Sequence, residues 1–115
     1  MTDKKLPENL TSLHKGEEFL RSKSITSIEN DENLSLHVVM IESSMDIVDY
    51  FVRQYEHQDD AQLTVQHLGI RLFNESASAL KLLLSGYYQA SASIQRNLLE
   101  ITFLLDYFTT CILRA

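Results

Sequence analysis

The clearest pattern in the chain is an apolar seam in its second quarter, where apolar residues alternate at spacings of four and three. Its members are Leu34, Val38, Ile41, Met45, Val48, Val52 and Tyr55. A mean spacing of about 3.5 residues is typical of a helix in a long antiparallel bundle. Met40, Ile47 and Phe51 widen the seam to one side. The pattern predicts a long helix, whose start Asn30 or Asp31 is suited to cap.

Two further helices are predicted in the second half of the chain. The third helix carries two neighbouring stripes, Val65, Leu68, Leu72, Ala79 and Leu83 in one and Gly69, Phe73, Ser76, Leu80 and Tyr87 in the other. The fourth repeats the four-and-three spacing through Tyr87, Ser91, Ile94, Leu98, Ile101, Leu105, Phe108 and Ile112. The polar break His57-Gln58-Asp59-Asp60 precedes the third helix, which Asp59 or Asp60 can cap. Small residues at Gly69, Ser76, Ala77 and Ala79 would let a neighbouring backbone come close.

A hairpin is predicted at Ser85-Gly86, the one turn signal between Gln62 and the C-terminus. A glycine there can take the left-handed conformation that closes a helix. The alternative is one unbroken helix through Gly86, which is too long for a compact domain of this size unless the chain belongs to a larger assembly.

The N-terminal part is more polar, with twelve charged residues in the 33 positions from Met1 to Asn33. A weaker helix is predicted after Leu6, with Pro7 in its first turn and Gly16 in its middle. Its apolar side comprises Leu10, Leu13, Phe19 and Leu20. The stretch from Ser22 to Asp31 is interpreted as a polar connection. The chain therefore divides into a polar region at 1–33 and a bundle core at 34–115, and the predicted fold is all-α, a small antiparallel helical bundle.

Composition and charge limit the expected binding partners and the expected location of the protein in the cell. A formal charge of −6 has the wrong sign for a protein that binds phosphate backbones over a broad face, so nucleic acid is not an expected partner. Cys111 is the one cysteine, which excludes an internal disulfide and points to the cytoplasm. No secretory signal is visible at the N-terminus. The most apolar segment, Leu98 to Leu113, is too short for a membrane span and carries Glu100 and Asp106.

The predicted C-terminal helix has more apolar surface than one face can hold. Twelve of the twenty residues from Ile94 to Leu113 are apolar. A second apolar strip on this helix consists of Leu99, Phe103, Leu104 and Tyr107. Two explanations are open: the helix packs in a homo-oligomer or against a partner protein, or the 115 residues are a fragment of a longer protein whose further helices complete the bundle.

One group of polar residues stands out in the predicted hairpin. A turn at Ser85-Gly86 brings residues whose numbers sum to about 171 to the same height, which pairs Arg71 with Glu100 and Glu75 with Arg96. The same residues form intrahelical pairs at a spacing of four, so a ring of alternating charge is geometrically available. Two interpretations remain. The pairs are solvated surface bridges worth at most about 1 kcal/mol each, or they form a partly buried network that marks a ligand pocket or sets the register of the bundle.

The residue patterns required for metal sites, phosphate-binding loops and nucleophilic catalysis are absent from the sequence. No Glu-x-x-His motif of a di-iron bundle occurs, and no two histidines stand three or four residues apart as metal ligands. His37 is interpreted as a core or rim histidine. The three glycines are isolated, which excludes a glycine-rich phosphate loop. Cys111 lies in a hydrophobic run that is unfavourable to a thiolate. The sequence therefore predicts no catalytic residue, no metal site and no cofactor.

The stretch from Gly86 to Glu100, GYYQASASIQRNLLE, resembles the helical hairpin of uncharacterised bacterial all-helical proteins with a glycine, small residues and then Arg-x-Leu-x-Glu. It is also similar to HEPN domains, helical bundles associated with RNA cleavage, nucleotide binding and toxin or antiphage systems. In HEPN nucleases an Arg is usually followed by a polar residue, and four to six residues separate the Arg from a His. Arg96 is followed by Asn97, but the positions for the His hold Ile101, Thr102 and Phe103. The resemblance thus implies a relative without nuclease catalysis.

Two functions follow as hypotheses. The first is a non-enzymatic helical interaction or oligomerisation domain of a bacterial cytoplasmic protein, with the C-terminal helix pair as its contact surface. The alternative is a HEPN-like nucleotide-binding or RNA-processing domain that lacks the catalytic His. Its candidate ligand-binding residues are Arg71, Glu75, Arg96, Asn97 and Glu100.

Overall fold

The computed structural model describes residues 5, 7–54, 56 and 59–112, and within them it contains four long helices and no strand. The helices are α1 Glu8–Glu29, α2 Glu32–Gln54, α3 Asp60–Leu84 and α4 Tyr88–Tyr107, and a π-helical segment Phe108–Ile112 continues α4. The predicted all-α bundle is confirmed. No helix in the described part of the chain combines the length and apolar character needed to cross a bilayer.

The starts of α2 and α3 follow the predicted capping chemistry. Of the two candidates before α2, Asp31 is the cap, because its carboxylate accepts hydrogen bonds from the backbone N–H groups of Asn33 (3.0 Å) and Leu34 (3.2 Å). Of the two before α3, Asp59 is the cap and accepts from the N–H of Gln62 at 2.8 Å. Both carboxylates satisfy donors that the first helical turn leaves unpaired. Three residues of the predicted seam and break, Tyr55, His57 and Gln58, lie outside the described residues.

The prediction of a polar connection over Ser22–Asp31 is wrong. α1 continues to Glu29, so only Asn30 and Asp31 separate it from α2. Tertiary contacts explain the extension, because Ile25 and Ile28 are half-buried and the Ser24 hydroxyl donates a hydrogen bond to the carbonyl of Leu84 at 3.0 Å. The N-terminal two thirds of α1 packs less well, and its predicted apolar side stays largely exposed: Leu10, Leu13, Phe19 and Leu20.

The predicted hairpin at Ser85-Gly86 is confirmed. Gly86 has a φ of +94°, and the N–H groups of Gly86 and Tyr87 donate to the carbonyls of Leu83 (3.3 Å) and Leu82 (2.9 Å). This pair of bonds is the Schellman motif, which ends a helix with a left-handed residue. The chain reverses here, and α4 returns along α3.

Close packing occurs where the small residues of α3 face its neighbours. Gly69 is buried, and a Cβ placed on it would lie 2.9 Å from a methyl carbon of Val52 on α2. On the α4 side, the buried Ser91 hydroxyl donates to the carbonyl of Ala79 at 2.8 Å. α3 is therefore the central helix, with α2 and α4 on either side of it. Within the described residues no Cα atom of α2 lies within 8 Å of a Cα atom of α4.

The helices deviate from the predicted faces in two places. In α2, Val38, Met45, Val48 and Val52 are half-buried, whereas Leu34 and Ile41 of the same seam stay exposed. At the end of α4 the backbone widens into the π-helical segment, where the Thr109 hydroxyl contacts the carbonyls of Leu105 (3.0 Å) and Asp106 (2.9 Å). Such contacts compete with the helical hydrogen-bond ladder.

Candidate functional site

The five residues of the predicted polar cluster do not form a ring of ion pairs. The Ser91–Ala79 hydrogen bond gives the hairpin a register close to the predicted one, so Arg71 and Glu100 lie at similar heights. However, the one ion pair among the described residues joins Arg53 to Asp49 on α2, at 3.0 Å. Arg71, Arg96 and Glu100 are exposed, and Glu75 and Asn97 are half-buried.

The reason lies in the direction of the α4 side chains. Leu98 is half-buried on the face of α4 that follows α3. Arg96 and Glu100 each stand two positions from Leu98, which turns them about 160° around the helix at about 100° per residue. They therefore face away from α3, although their height along the hairpin matches that of Glu75 and Arg71.

Arg71 and Glu75 do lie together in a shallow groove of about 440 Å³ on the outer side of α3. This polar groove is lined by His67, Ile70, Arg71, Asn74, Glu75, Ser78 and Ile94. Arg96, Asn97 and Glu100 are not among its lining residues. Its side chains offer a guanidinium, an imidazole, a carboxylate, an amide and a hydroxyl, which together can bind a polar or anionic small molecule.

His67, Asn74 and Ser78 also line the polar groove, although they were not predicted as site residues. A signal for them exists, because they and Arg71 follow one another at spacings of four, three and four along α3. This is the same period that identified the apolar seam of α2, but here it carries polar residues.

A larger concavity of about 700 Å³ lies on the opposite face of α3, between α2 and α4. The floor of this apolar trough consists of Leu72, Phe73, Ser76, Ala79, Leu80 and Leu83. Its walls are His37, Met40, Ile41, Ser44, Met45 and Val48 from α2 and Gln95 and Leu98 from α4. His37 is exposed here, so it is a rim and not a core histidine. No carboxylate, lysine or arginine is among the lining residues.

The apolar surface extends past the rim of the trough on both walls. On α2, Ile47 is 69% exposed, and Met40 and Phe51 lie on the same stripe at spacings of seven and four. On α4, Leu99 and Phe103 are 60% and 70% exposed. These are the residues that widen the predicted seam of α2 and form the predicted second strip of α4, and in the single chain they face solvent.

The described residues contain neither an activated nucleophile nor a group of metal ligands. Cys111 is exposed, which corrects the expectation of a hydrophobic surrounding. The buried hydroxyl of Ser91 is engaged by the carbonyl of Ala79 and by the Gln95 amide. No group of three or more His, Cys, Asp or Glu among the described residues could hold a metal ion. Comparison with family models, curated proteins and solved structures gives no match to the chain.

Proposed function

We propose that the protein is a non-enzymatic helical interaction domain of a bacterial cytoplasmic protein, which oligomerises or binds a partner protein through its exposed apolar helix surfaces. The carrying observation is its accessible surface of 9256 Å². A compact monomer of 13.2 kDa exposes about 6,400 Å², so the chain has an excess of about 2,800 Å². Its radius of gyration of 18.5 Å likewise exceeds the value of about 13 Å for a compact domain of this length.

Large apolar side chains contribute to this excess surface. Within the described residues the buried hydrophobic side chains are few: Ala79, Leu84 and Ile101. Large apolar residues such as Ile47, Phe103 and Tyr107 are more than half exposed. Monomeric proteins rarely expose contiguous apolar patches larger than a few hundred Å². Obligate homodimers bury about 2,000–5,000 Å² in total, a range that includes the excess of a single chain.

Sedimentation velocity over a range of protein concentrations tests this proposal. We expect a dimer or larger species at micromolar concentration, because burial of the excess surface in one interface suffices for stable association. Binding of the fluorescent dye ANS reports the apolar surface that remains accessible. A monomer that persists at about 100 µM without binding ANS would contradict the proposal.

We propose a HEPN-like nucleotide-binding or RNA-processing domain as the second candidate. The observation in its favour is the polar groove, where Arg71 and Glu75 lie beside His67 and Asn74. A guanidinium beside an amide and an imidazole suits a phosphate and a base edge.

Fluorescence anisotropy with labelled ATP and with a short single-stranded RNA tests this candidate. Arg71→Ala is expected to weaken binding at least about tenfold while the melting temperature stays unchanged, because a charge-assisted hydrogen bond to phosphate contributes about 1.5–3 kcal/mol. Arg53→Ala, which removes an exposed guanidinium from α2, is the matched control. Equal affinity of both variants, or no binding by the wild type, would exclude the groove as a nucleotide site.

A further inference from the structure

An apolar concavity is open on the face of α3 that lies between α2 and α4. α2 and α4 flank α3, and no Cα atoms of these two flanking helices come within 8 Å of each other in the described residues. The apolar trough runs between them over the floor from Leu72 to Leu83. A helix placed in this space would contact α2, α3 and α4 together, as a fourth member of a helical bundle does. The small floor residues Ser76 and Ala79 leave room for large side chains of such a helix.

We propose that the apolar trough receives α2 of a second copy of this chain, and that a two-fold axis makes the insertion reciprocal. The proposal rests on the proposed oligomerisation and identifies the apolar trough and α2 as the surfaces through which two copies bind. In this dimer the α2 and α3 helices of both copies form a four-helix bundle. Each α4 closes one outer edge, against its own α3 and the partner's α2.

The dimensions of the inserted stripe and of the trough agree. The exposed stripe of α2 runs from Met40 through Ser44 and Ile47 to Phe51, which is eleven residue steps. The floor from Leu72 to Leu83 also spans eleven steps. Both are about 17 Å long at 1.5 Å per residue. One helix of this chain therefore offers an apolar ridge of the length that the trough accepts.

The charge distribution favours a second copy. Each chain carries a formal charge of −6, so an interface between copies needs an uncharged contact surface. The charged residues of α2 from Glu42 to Arg53 lie on the side of the helix opposite the trough, at 42, 46, 49 and 53. The trough itself is lined by no acidic or basic residue other than His37. Two copies can therefore meet there without placing like charges in contact, which would cost affinity.

The available area is sufficient for a stable dimer. Each chain exposes about 2,800 Å² more than a compact monomer of its mass. An obligate homodimer interface needs about 2,000 Å² or more from both partners together. Reciprocal insertion buries both trough floors and both α2 stripes in one interface.

Sedimentation equilibrium of two matched variants tests the inference. Ile47→Glu places a carboxylate on the inserted stripe, where burial without a partner is expected to raise the dimer dissociation constant about 100-fold or more. Val39→Glu makes the same change in charge on the outer side of the same helix, where Val39 is 57% exposed, and is expected to leave the constant unchanged. Circular dichroism confirms that both variants stay helical.

A cross-linking experiment keeps the inference testable if Ile47→Glu fails to fold. In a Cys111→Ser background, Ile47→Cys on one copy is mixed with Ser76→Cys on the other, and mild oxidation is expected to give a disulfide-linked heterodimer. The control pair, Val39→Cys with Ser76→Cys, is expected to give little. The trough assignment would be overturned if the wild type is a dimer, Ile47→Glu leaves its dissociation constant unchanged and Ile47→Cys gives no cross-link. That result would leave the proposed oligomerisation intact. A wild-type protein that stays monomeric would overturn both the trough assignment and the proposed oligomerisation.

Discussion

Ile101→Ala is expected to lower the free energy of unfolding by about 2–5 kcal/mol, the range for deletion of a buried Ile side chain. Ile101 is the largest side chain with no solvent exposure among the described residues. It lies on the apolar stripe that follows α4 into the π-helical segment and also holds Ile94, Leu98, Leu105 and Phe108, all half-buried. Few other side chains among the described residues are fully buried, so this substitution removes a large share of the buried apolar contacts. Urea unfolding followed by circular dichroism at a fixed protein concentration measures the loss.

Two controls separate cavity formation from a general loss of apolar area. Ile101→Val removes one methylene and is expected to cost about 0.5–1.5 kcal/mol. Ile70→Ala deletes the same atoms from a side chain that is 42% exposed, and the expected cost is clearly smaller than that of Ile101→Ala. Equal costs for the two Ile→Ala variants would show that Ile101 is not the centre of the helix packing.

Gly86→Ala is expected to destabilise the protein by about 1–3 kcal/mol, because a residue with a Cβ is strained at a φ of +94°. The added Cβ would also lie 3.1 Å from the Leu20 side chain of α1, closer than ordinary van der Waals contact. Both effects act at the point where α1 contacts the hairpin. Thermal unfolding followed by circular dichroism reports the cost.

Gly16→Ala is the matched control for Gly86→Ala. Gly16 lies inside α1 with ordinary helical geometry, and no atom stands within 4 Å of a Cβ placed there. Alanine is the better helix former, so this variant is expected to gain up to about 1 kcal/mol. Opposite signs for the same substitution would confirm that the left-handed turn decides the cost at Gly86, and a neutral Gly86→Ala would contradict it.

The elements that were predicted correctly depend on neighbours in the chain. The seam of α2 is a regular spacing of apolar residues, and the caps Asp31 and Asp59 accept from N–H groups two or three residues away. The turn at Gly86 is closed by the N–H groups of Gly86 and Tyr87, which donate to the carbonyls of Leu83 and Leu82. Interactions of this range can be read from a few consecutive residues. The end of α1 was predicted wrongly because a contact sixty residues away, from Ser24 to the carbonyl of Leu84, supports it.

In the candidate site, too, some features follow from the local sequence and others from the packing of the helices. The turn at Gly86 determines which residues of α3 and α4 lie at one height, and this much was predictable for Arg71 and Glu100. Whether they meet depends on the direction of each side chain, which follows from how the two helices pack. Glu100 points away, while His67 and Asn74 join Arg71 in the polar groove.

By itself the sequence determined the helical class, the starts of α2 and α3, the reversal at Gly86, the widened apolar seam of α2 and the surplus of apolar residues on α4. These properties follow from the local backbone preferences and the spacing of side chains along one helix. Only the tertiary structure decided that α3 is central, that α2 and α4 stand apart over an apolar trough, and that the charged residues do not close into a ring. Those outcomes depend on the angles at which helices distant in the chain pack against one another, and no local interaction specifies them.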